Sequence, residues 1–114
     1  MDKKDCIFCK IINGEAPADF VYRDENFVVF QNISPKAPVH VLIVPVEHIE
    51  SINELRERHT AVISGMMLKA KDLAFALGVK DSGYKLVINV GRGAGQVIFH
   101  MHIHLIGGWR QKYE

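Results

Sequence analysis

The sequence has almost no imbalance of charge and no long apolar run. Its 114 residues include 14 Lys and Arg against 13 Asp and Glu, a formal net charge of +1. No Lys/Arg-rich run stands out, so a nucleic-acid partner is not expected. No segment approaches the roughly 18 consecutive apolar residues of a membrane-spanning helix, so no membrane association is expected. The first ten residues are polar and lack the apolar stretch of a signal peptide, which predicts a cytoplasmic protein.

Cysteine is also scarce, since Cys6 and Cys9 are the only two. With no secretory signal, a structural disulfide between them is not expected. The sequence lacks internal repeats, low-complexity tracts and linkers, which predicts a single domain over residues 1–114. Hydrophobic residues make up 48% of the chain, enough for a buried core in a protein of this length.

The pattern of apolar residues predicts an α+β fold. A short helical turn is expected in CIFCKII, and strands are expected at 20–23, 27–31, 39–44, 84–90 and about 98–106. Ser51 and Glu54 match a capping box that opens a helical region. The predicted long helix starts near Thr60 and ends near Gly78, and its apolar stripe is expected in the core: Val62, Ile63, Met66, Met67, Ala70, Leu73, Ala74 and Leu77. Strands before and after one long helix favour a mainly antiparallel five-stranded sheet with that helix packed on it.

The segment FHMHIHLIGG is the most informative part of the chain. In a strand, successive side chains point to opposite faces, so His100, His102 and His104 share one face, with neighbouring imidazoles about 6–7 Å apart. A core does not need such an arrangement. Imidazole can act as a nucleophile, an acid or base, or a metal ligand near neutral pH. A glycine-rich loop, GRGAGQ, precedes this histidine ladder and lets backbone N–H groups approach a bound group.

The segment GQVIFHMHIHLIGG resembles the signature of the histidine triad superfamily, in which histidines alternate with apolar residues. The similarity extends to CIFCKII, FQNISPKAPVHVLIVPVEHI and LVINVG, and so covers almost the whole chain. The closing Gly107 and Gly108 are similar to the branch of histidine triad nucleotide-binding proteins. This resemblance implies a hydrolase that cleaves the P–N or a related bond of purine nucleoside 5′-phosphoramidates, derivatives of AMP or GMP. It also implies no organic cofactor and a homodimer whose two sheets form one continuous sheet.

The resemblance implies a role for each histidine of the ladder. His102 would be the nucleophile that forms a covalent nucleotidyl-histidine, which water then hydrolyses. His104 and the backbone amides of Gly95 and Val97 would stabilise charge on the phosphoryl oxygens. His40 would support the catalytic triad as a fourth histidine, and His100 would be its first member.

The nucleotide-binding residues implied by the resemblance lie in several segments of the chain. They are Ile7, Phe8, Ile11, Phe30, Asn32, Ile33, Leu42, Asn89, Gly95, Gln96 and Val97. Asn32 stands where the family usually has an Asp that binds the ribose hydroxyls, so a charge-assisted contact is lost. Val97 stands where a hydroxyl residue is common. We expect these two departures to affect affinity and rate rather than the fold.

The Cys-x-x-Cys pair needs two more ligands to form a tetrahedral zinc site. The resemblance implies His48 and His100, which with Cys6 and Cys9 make a Cys₂His₂ set suited to structural zinc. In that case His100 orients the strand that carries His102 instead of relaying protons. Two free buried thiols, or a redox pair, are the alternatives, although a redox pair would lack the expected βα context.

Other functions compatible with the ladder differ in what they require. A catalytic metal held by the ladder itself would need a further ligand, and no Asp or Glu lies between Phe99 and Arg110. A dinucleoside polyphosphate hydrolase of the same superfamily would differ in its substrate. A nucleotide-binding or interaction protein without turnover would bind a nucleoside phosphoramidate without releasing AMP.

Overall fold

The computed structural model describes residues 3–109, which include a five-stranded sheet. Its strands are β1 Phe20–Arg23, β2 Phe27–Gln31, β3 Val39–Pro45, β4 Tyr84–Val87 and β5 Ile103–Gly107. They lie in the order β1-β2-β3-β5-β4, and every neighbouring pair is antiparallel. The α-helices are α1, Ile7–Ile12, and α2, Thr60–Ala76. The predicted α+β fold with one long helix is therefore confirmed.

Alternation along β3 gives the sheet a buried layer on each face. Val41 and Ile43 belong to the layer beneath the long helix. The residues that α2 contributes to this layer are Met66, Ala70, Leu73 and Ala74. The intervening Leu42 packs instead in a second layer with Phe8 of α1. The two helices thus cover opposite faces, and the face under α1 is the one to which His40 points.

Two strands are shorter than the sequence pattern predicts. The final strand was expected from about Ile98 but begins at Ile103, because β3 pairs with β5 only as far as Ile43. The residues before it contact a loop, since the Met101 N–H donates to the Ile49 carbonyl at 2.6 Å. Strand β4 ends at Val87 rather than Val90.

The capping box opens a separate short turn and not the long helix. The Ser51 hydroxyl accepts from the Asn53 N–H at 3.0 Å and donates to Glu54 at 2.8 Å. These bonds cap a 3-10 turn at Ile52–Glu54, and extended backbone at Leu55 and Arg56 then interrupts the helical path. Further 3-10 turns lie at Lys3–Asp5, Glu57–His59 and Arg92–Ala94.

The apolar stripe of α2 is narrower than predicted. Met66 is fully buried, whereas Met67 is 45% exposed, so its prediction as a core residue is wrong. One residue further along a helix is about 100° further around it, which turns Met67 away from the sheet and toward solvent. The helix ends close to the predicted position, with Gly78 at φ 79°. Within residues 3–109, no helix combines the length and apolarity needed to cross a membrane.

Candidate active site and metal centre

Three histidines from two strands and the approach to β5 gather on the α1 face of the sheet. The pairing of β3 with β5 sets His40 opposite Ile106 and His104 opposite Leu42, so the two histidines are diagonal neighbours. Their ring centroids are 5.2 Å apart. His102 lies just before β5, and its ring centroid is 4.9 Å from that of His104. This spacing is shorter than the strand repeat predicts, because only His104 belongs to the regular strand.

The hydrogen bonds of His102 leave one ring nitrogen available. Its Nδ1 is 2.7 Å from the carbonyl oxygen of His100, which can only accept, so Nδ1 carries the proton. Burial lowers the pKa of His102, against the opposing effect of that hydrogen bond, and favours the neutral ring. A neutral imidazole protonated at Nδ1 has its lone pair on Nε2. The side chain keeps 9% exposure, whereas His100 has none.

His40 and His104 form a hydrogen-bonded pair with a fixed direction. The Lys36 N–H donates to His40 Nδ1 at 3.0 Å, so the neutral ring carries its proton on Nε2. That nitrogen lies 2.9 Å from His104 Nδ1, which accepts it and leaves the His104 proton on Nε2. Burial, with the neighbouring His102 and His40, lowers the pKa of His104 to about 4. Both rings are therefore neutral near pH 7, and His104 has an N–H to offer a ligand.

The apolar residues predicted to bind the nucleotide divide into a buried and an exposed group. Phe8, Ile11, Phe30 and Leu42 are buried together in the layer beneath α1. The ring of Phe8 meets that of His102 edge-on at 5.0 Å. The other three lie at the surface, where their exposed fractions are 42% for Ile7, 97% for Ile33 and 81% for Val97. The buried group forms a floor beside His102, and the exposed group lies outside the core.

The glycine-rich loop is shaped by two side-chain amides. Gln96 is buried, and its Oε1 accepts from the Gly91 N–H at 2.9 Å while its Nε2 donates to the carbonyls of Glu50 and Ile98 at 2.7 and 3.1 Å. Asn89 donates to the Ala94 carbonyl at 2.9 Å.

These bonds decide which backbone amides of the loop can meet a ligand. The Gly95 N–H donates to the Arg92 carbonyl at 3.1 Å and is already engaged. Among residues 3–109, the Val97 N–H has no hydrogen-bond acceptor, so it is one of the loop donors that a ligand could meet.

Cys6, Cys9, His48 and His100 form a compact cluster. One ligand atom from each lies within 4.8 Å of the others. The Nδ1 atom of His100 is 3.3 Å from Cys6 Sγ and 3.6 Å from Cys9 Sγ, and His48 Nδ1 is 3.2 Å from Cys9 Sγ. The first turn of α1 sets the two thiols side by side, because Cys6 caps the helix and accepts from the Cys9 N–H.

The cluster fits a tetrahedral metal ion. Zinc bonds of about 2.0–2.3 Å place neighbouring ligand atoms roughly 3.3–3.8 Å apart, close to the separations in the cluster. His100 donates its Nε2 proton to the Pro45 carbonyl at 2.8 Å, which leaves the Nδ1 lone pair facing the thiols. Burial lowers the pKa of His100 to about 4, so its ring is neutral. A cavity of about 390 Å³ adjoins the cluster, and Cys9 and His48 are among its lining residues.

Two groups near the cluster carried no signal in the sequence. The Pro45 carbonyl that orients His100 is a backbone group, which any residue would supply. Glu47, next to His48, accepts a bidentate hydrogen bond at 2.6 and 3.0 Å from Arg58, which lies in the 3-10 turn before α2. Arg58, followed by His59, lowers the pKa of Glu47 to about 2. The buried His59 lies 3.3 Å from the same carboxylate and is a structural residue. Contacts to Glu47 from Arg58 and His59 therefore fix the backbone next to His48.

The comparisons with known proteins agree with this geometry. A family model described as "Scavenger mRNA decapping enzyme C-term binding" matches residues 5–112. The purine nucleoside phosphoramidase of Escherichia coli K12 is 39% identical over 105 residues, which cover 92% of this chain and 88% of that protein.

Two solved structures share the fold. One is a HIT family hydrolase from Legionella pneumophila, with a TM-score of 0.90, 42% identity, and coverage of 95% of this chain and 96% of that one. The other is a Zn-bound histidine triad family protein from Mycobacterium smegmatis, with a TM-score of 0.80, 30% identity, and coverage of 93% and 76%. Fold and comparisons together define the chain as a hydrolase. It belongs to the histidine triad (HIT) superfamily, which confirms the resemblance drawn from its motifs.

Proposed function

We propose that the protein hydrolyses purine nucleoside 5′-phosphoramidates, or substrates with a related bond to phosphorus, and releases the nucleoside monophosphate. The observation that carries the proposal is the hydrogen bond from His102 Nδ1 to the His100 carbonyl at 2.7 Å, because it leaves Nε2 as a nucleophile. The similarity to a purine nucleoside phosphoramidase supports the same substrate class.

The proposed reaction has two displacements at phosphorus. His102 Nε2 forms a bond to phosphorus as the P–N bond breaks, and the leaving amine takes up a proton from solvent. Water then attacks the phosphorus of the nucleotidyl-His102, the P–Nε2 bond breaks, the water gives up a proton to solvent, and the free imidazole is restored. The Nε2–H of His104 would donate to a phosphoryl oxygen as negative charge develops there. The free Val97 N–H would be a second donor, while Gly95, Gln96 and Asn89 shape the loop around the phosphate.

The nucleoside would lie over the floor beside His102. The proposed base contacts are Ile7, Phe8, Ile11, Phe30, Ile33 and Leu42. Ile7 and Ile33 are exposed, which suits side chains that meet a ligand rather than the core. Asn32 would face the ribose with less charge than an Asp offers.

The cysteine–histidine cluster would hold structural zinc through Cys6, Cys9, His48 and His100. The ion would crosslink α1 to the segment that leads into β5 and would take no part in bond breaking. The Zn-bound relative from M. smegmatis supports this choice of metal. His100 would then be a ligand and a backbone support for His102, not a proton relay.

A homodimer in the cytoplasm completes the proposal. Strand β4 lies at an edge of the sheet, where a second copy of β4 can extend it. Large apolar side chains are exposed on β4 and on the outer face of α2, with exposed fractions of 37% for Leu86, 62% for Leu68 and 71% for Phe75. Pairing of two copies would cover such a surface. Sedimentation at micromolar concentration should give a dimer, and a monomer would contradict this part of the proposal.

A substrate panel with rapid quenching tests the reaction. Adenosine and guanosine 5′-phosphoramidates should release AMP and GMP faster than the cytidine compound or a dinucleoside polyphosphate. Mass spectrometry of the quenched enzyme should find the nucleotide on a peptide that contains His102. Faster cleavage of the dinucleoside polyphosphate would favour that alternative substrate, and binding without AMP release would show a protein without turnover.

A further inference from the structure

Asn32 lies at the junction between the end of β2 and the histidine pair. Its Oδ1 accepts from the Ser34 N–H at 2.8 Å, and its Nδ2 lies 3.1 Å from His40 Nε2. A backbone N–H can only donate, so the bond to Ser34 fixes which end of the amide is oxygen. The NH₂ group of Asn32, a donor, therefore faces the ring of His40.

His40 has its own proton fixed by a second backbone donor. Because the Lys36 N–H donates to Nδ1, the single proton of the neutral ring lies on Nε2. That N–H has two neighbours within 3.1 Å, namely the Asn32 NH₂ and His104 Nδ1. Only His104 offers a lone pair. The contact with Asn32 joins two donors and makes no hydrogen bond in this state.

We propose that Asn32 is a positioning residue for the hydrolysis: by presenting a donor to His40, it directs the His40 Nε2 proton to His104 Nδ1 and so fixes His104 as an Nε2–H donor toward the phosphoryl group. This inference rests on the proposed function for the role of His104. Its geometric part, the direction of the hydrogen bonds from Lys36 through His40 to His104, stands independently of the substrate.

A carboxylate at position 32 would reverse this arrangement. One oxygen would still accept from the Ser34 N–H, and the other would accept the His40 Nε2 proton in competition with His104. Among the described residues, the titratable groups that act on these two rings are Lys36 for His40, and His102 and His40 for His104, so none of them is a carboxylate. A new carboxylate in contact with His40 would stabilise its imidazolium and raise its pKa by about 1–3 units.

Imidazole nitrogen NMR of the full-length protein, ¹⁵N-labelled at histidine, tests the inference through the substitution Asn32→Asp. In the wild type near pH 7, both His40 and His104 should carry their proton on Nε2. In the variant, the pKa of His40 should rise by about 1–3 units. The acid limb of the pH profile of kcat/KM should move to higher pH with it. Asn53→Asp, at an exposed residue on the 3-10 turn, adds the same charge elsewhere and should leave both rings unchanged.

The outcomes separate this inference from the proposed function. A wild-type His40 or His104 with its proton on Nδ1 overturns the inference, and this readout needs no variant to fold. A variant whose His40 titrates as it does in Asn53→Asp also overturns it. A wild type with the expected tautomers but no phosphoramidate turnover would refute the proposed reaction while leaving the hydrogen-bond direction intact.

Discussion

The two ends of the histidine ladder contain the same side chain in different surroundings. His100 is fully buried, with Nδ1 toward two thiols and Nε2 donated to a carbonyl. His104, four residues later, is half-buried, accepts from His40 and directs its own N–H away from that partner. The first environment suits a metal ligand and the second a donor to substrate. The neighbours of each imidazole, and not its place in the motif, decide its chemistry.

His102 lies between these two histidines and contacts both. Its ring is oriented by the carbonyl of His100, the residue whose side chain points into the cluster. Whatever fixes the backbone of His100 therefore also fixes the nucleophile. This connection explains how a metal remote from the reaction would influence catalysis without contacting the substrate.

Removing the nucleophile should have the largest effect of any single change. We expect His102→Ala to lower kcat/KM for adenosine 5′-phosphoramidate more than about 1,000-fold, because no other group can form the covalent intermediate. The zinc content should stay at the wild-type level, since His102 is not a ligand. Met101→Leu is the matched control, because Met101 is buried one position away and the change conserves volume. Turnover by His102→Ala at the wild-type rate would rule out the covalent mechanism.

Alternation along the chain was sufficient to predict the sheet, because β3 and β5 each have a strict two-residue period. Leu42 and Val41 fall on opposite faces, as do His104 and Leu105. The same pattern placed the start of the last strand too early, since both His100 and His102 precede β5. Pairing with β3 stops at Ile43, and no local pattern marks that limit. Strand boundaries depend on where the partner strand turns away.

Backbone hydrogen-bonding groups and the exposure of individual apolar side chains could not be predicted from the sequence. The carbonyls and amides that set the tautomers of His40, His100 and His102 belong to residues whose side chains are irrelevant to that role. Ile33 is a large apolar residue, yet it lies almost fully exposed in the loop after β2. Hydrophobicity predicts burial on average, whereas a ligand-facing apolar residue differs from a core residue only in the folded chain.

Removing a ligand of the proposed zinc site should have an intermediate effect on kcat/KM. In Cys9→Ser the cluster loses a thiolate, so zinc content measured by elemental analysis should fall well below that of the wild type. The thermal midpoint should fall by several degrees, and kcat/KM should drop about 10-fold through the displaced His100 backbone. His104→Gln provides the opposite case, since it should retain zinc while losing about 100-fold in kcat/KM. A Cys9→Ser protein with full zinc content would contradict the assigned ligand set.

The smallest expected effect is a pH dependence of the free energy of unfolding that comes from the titration of His104. The pKa of His104 is about 4 in the folded protein against an ordinary 6.5. Between these values the unfolded chain binds the extra proton, so the free energy of unfolding should decrease as pH falls through this window and be insensitive to His104 above it. With solvent screening of a half-buried ring taken into account, the loss by pH 5 is about 1 kcal/mol.

Urea unfolding of the wild type and His104→Gln at several pH values isolates that loss. Both proteins share the cysteine–histidine cluster, so its titration cancels when the two curves are subtracted. The wild type should lose about 1 kcal/mol more than the variant between pH 7 and pH 5. Parallel curves would mean that His104 is as well solvated in the fold as in the unfolded chain. The difference between His100 and His104 would then rest only on the zinc site around His100.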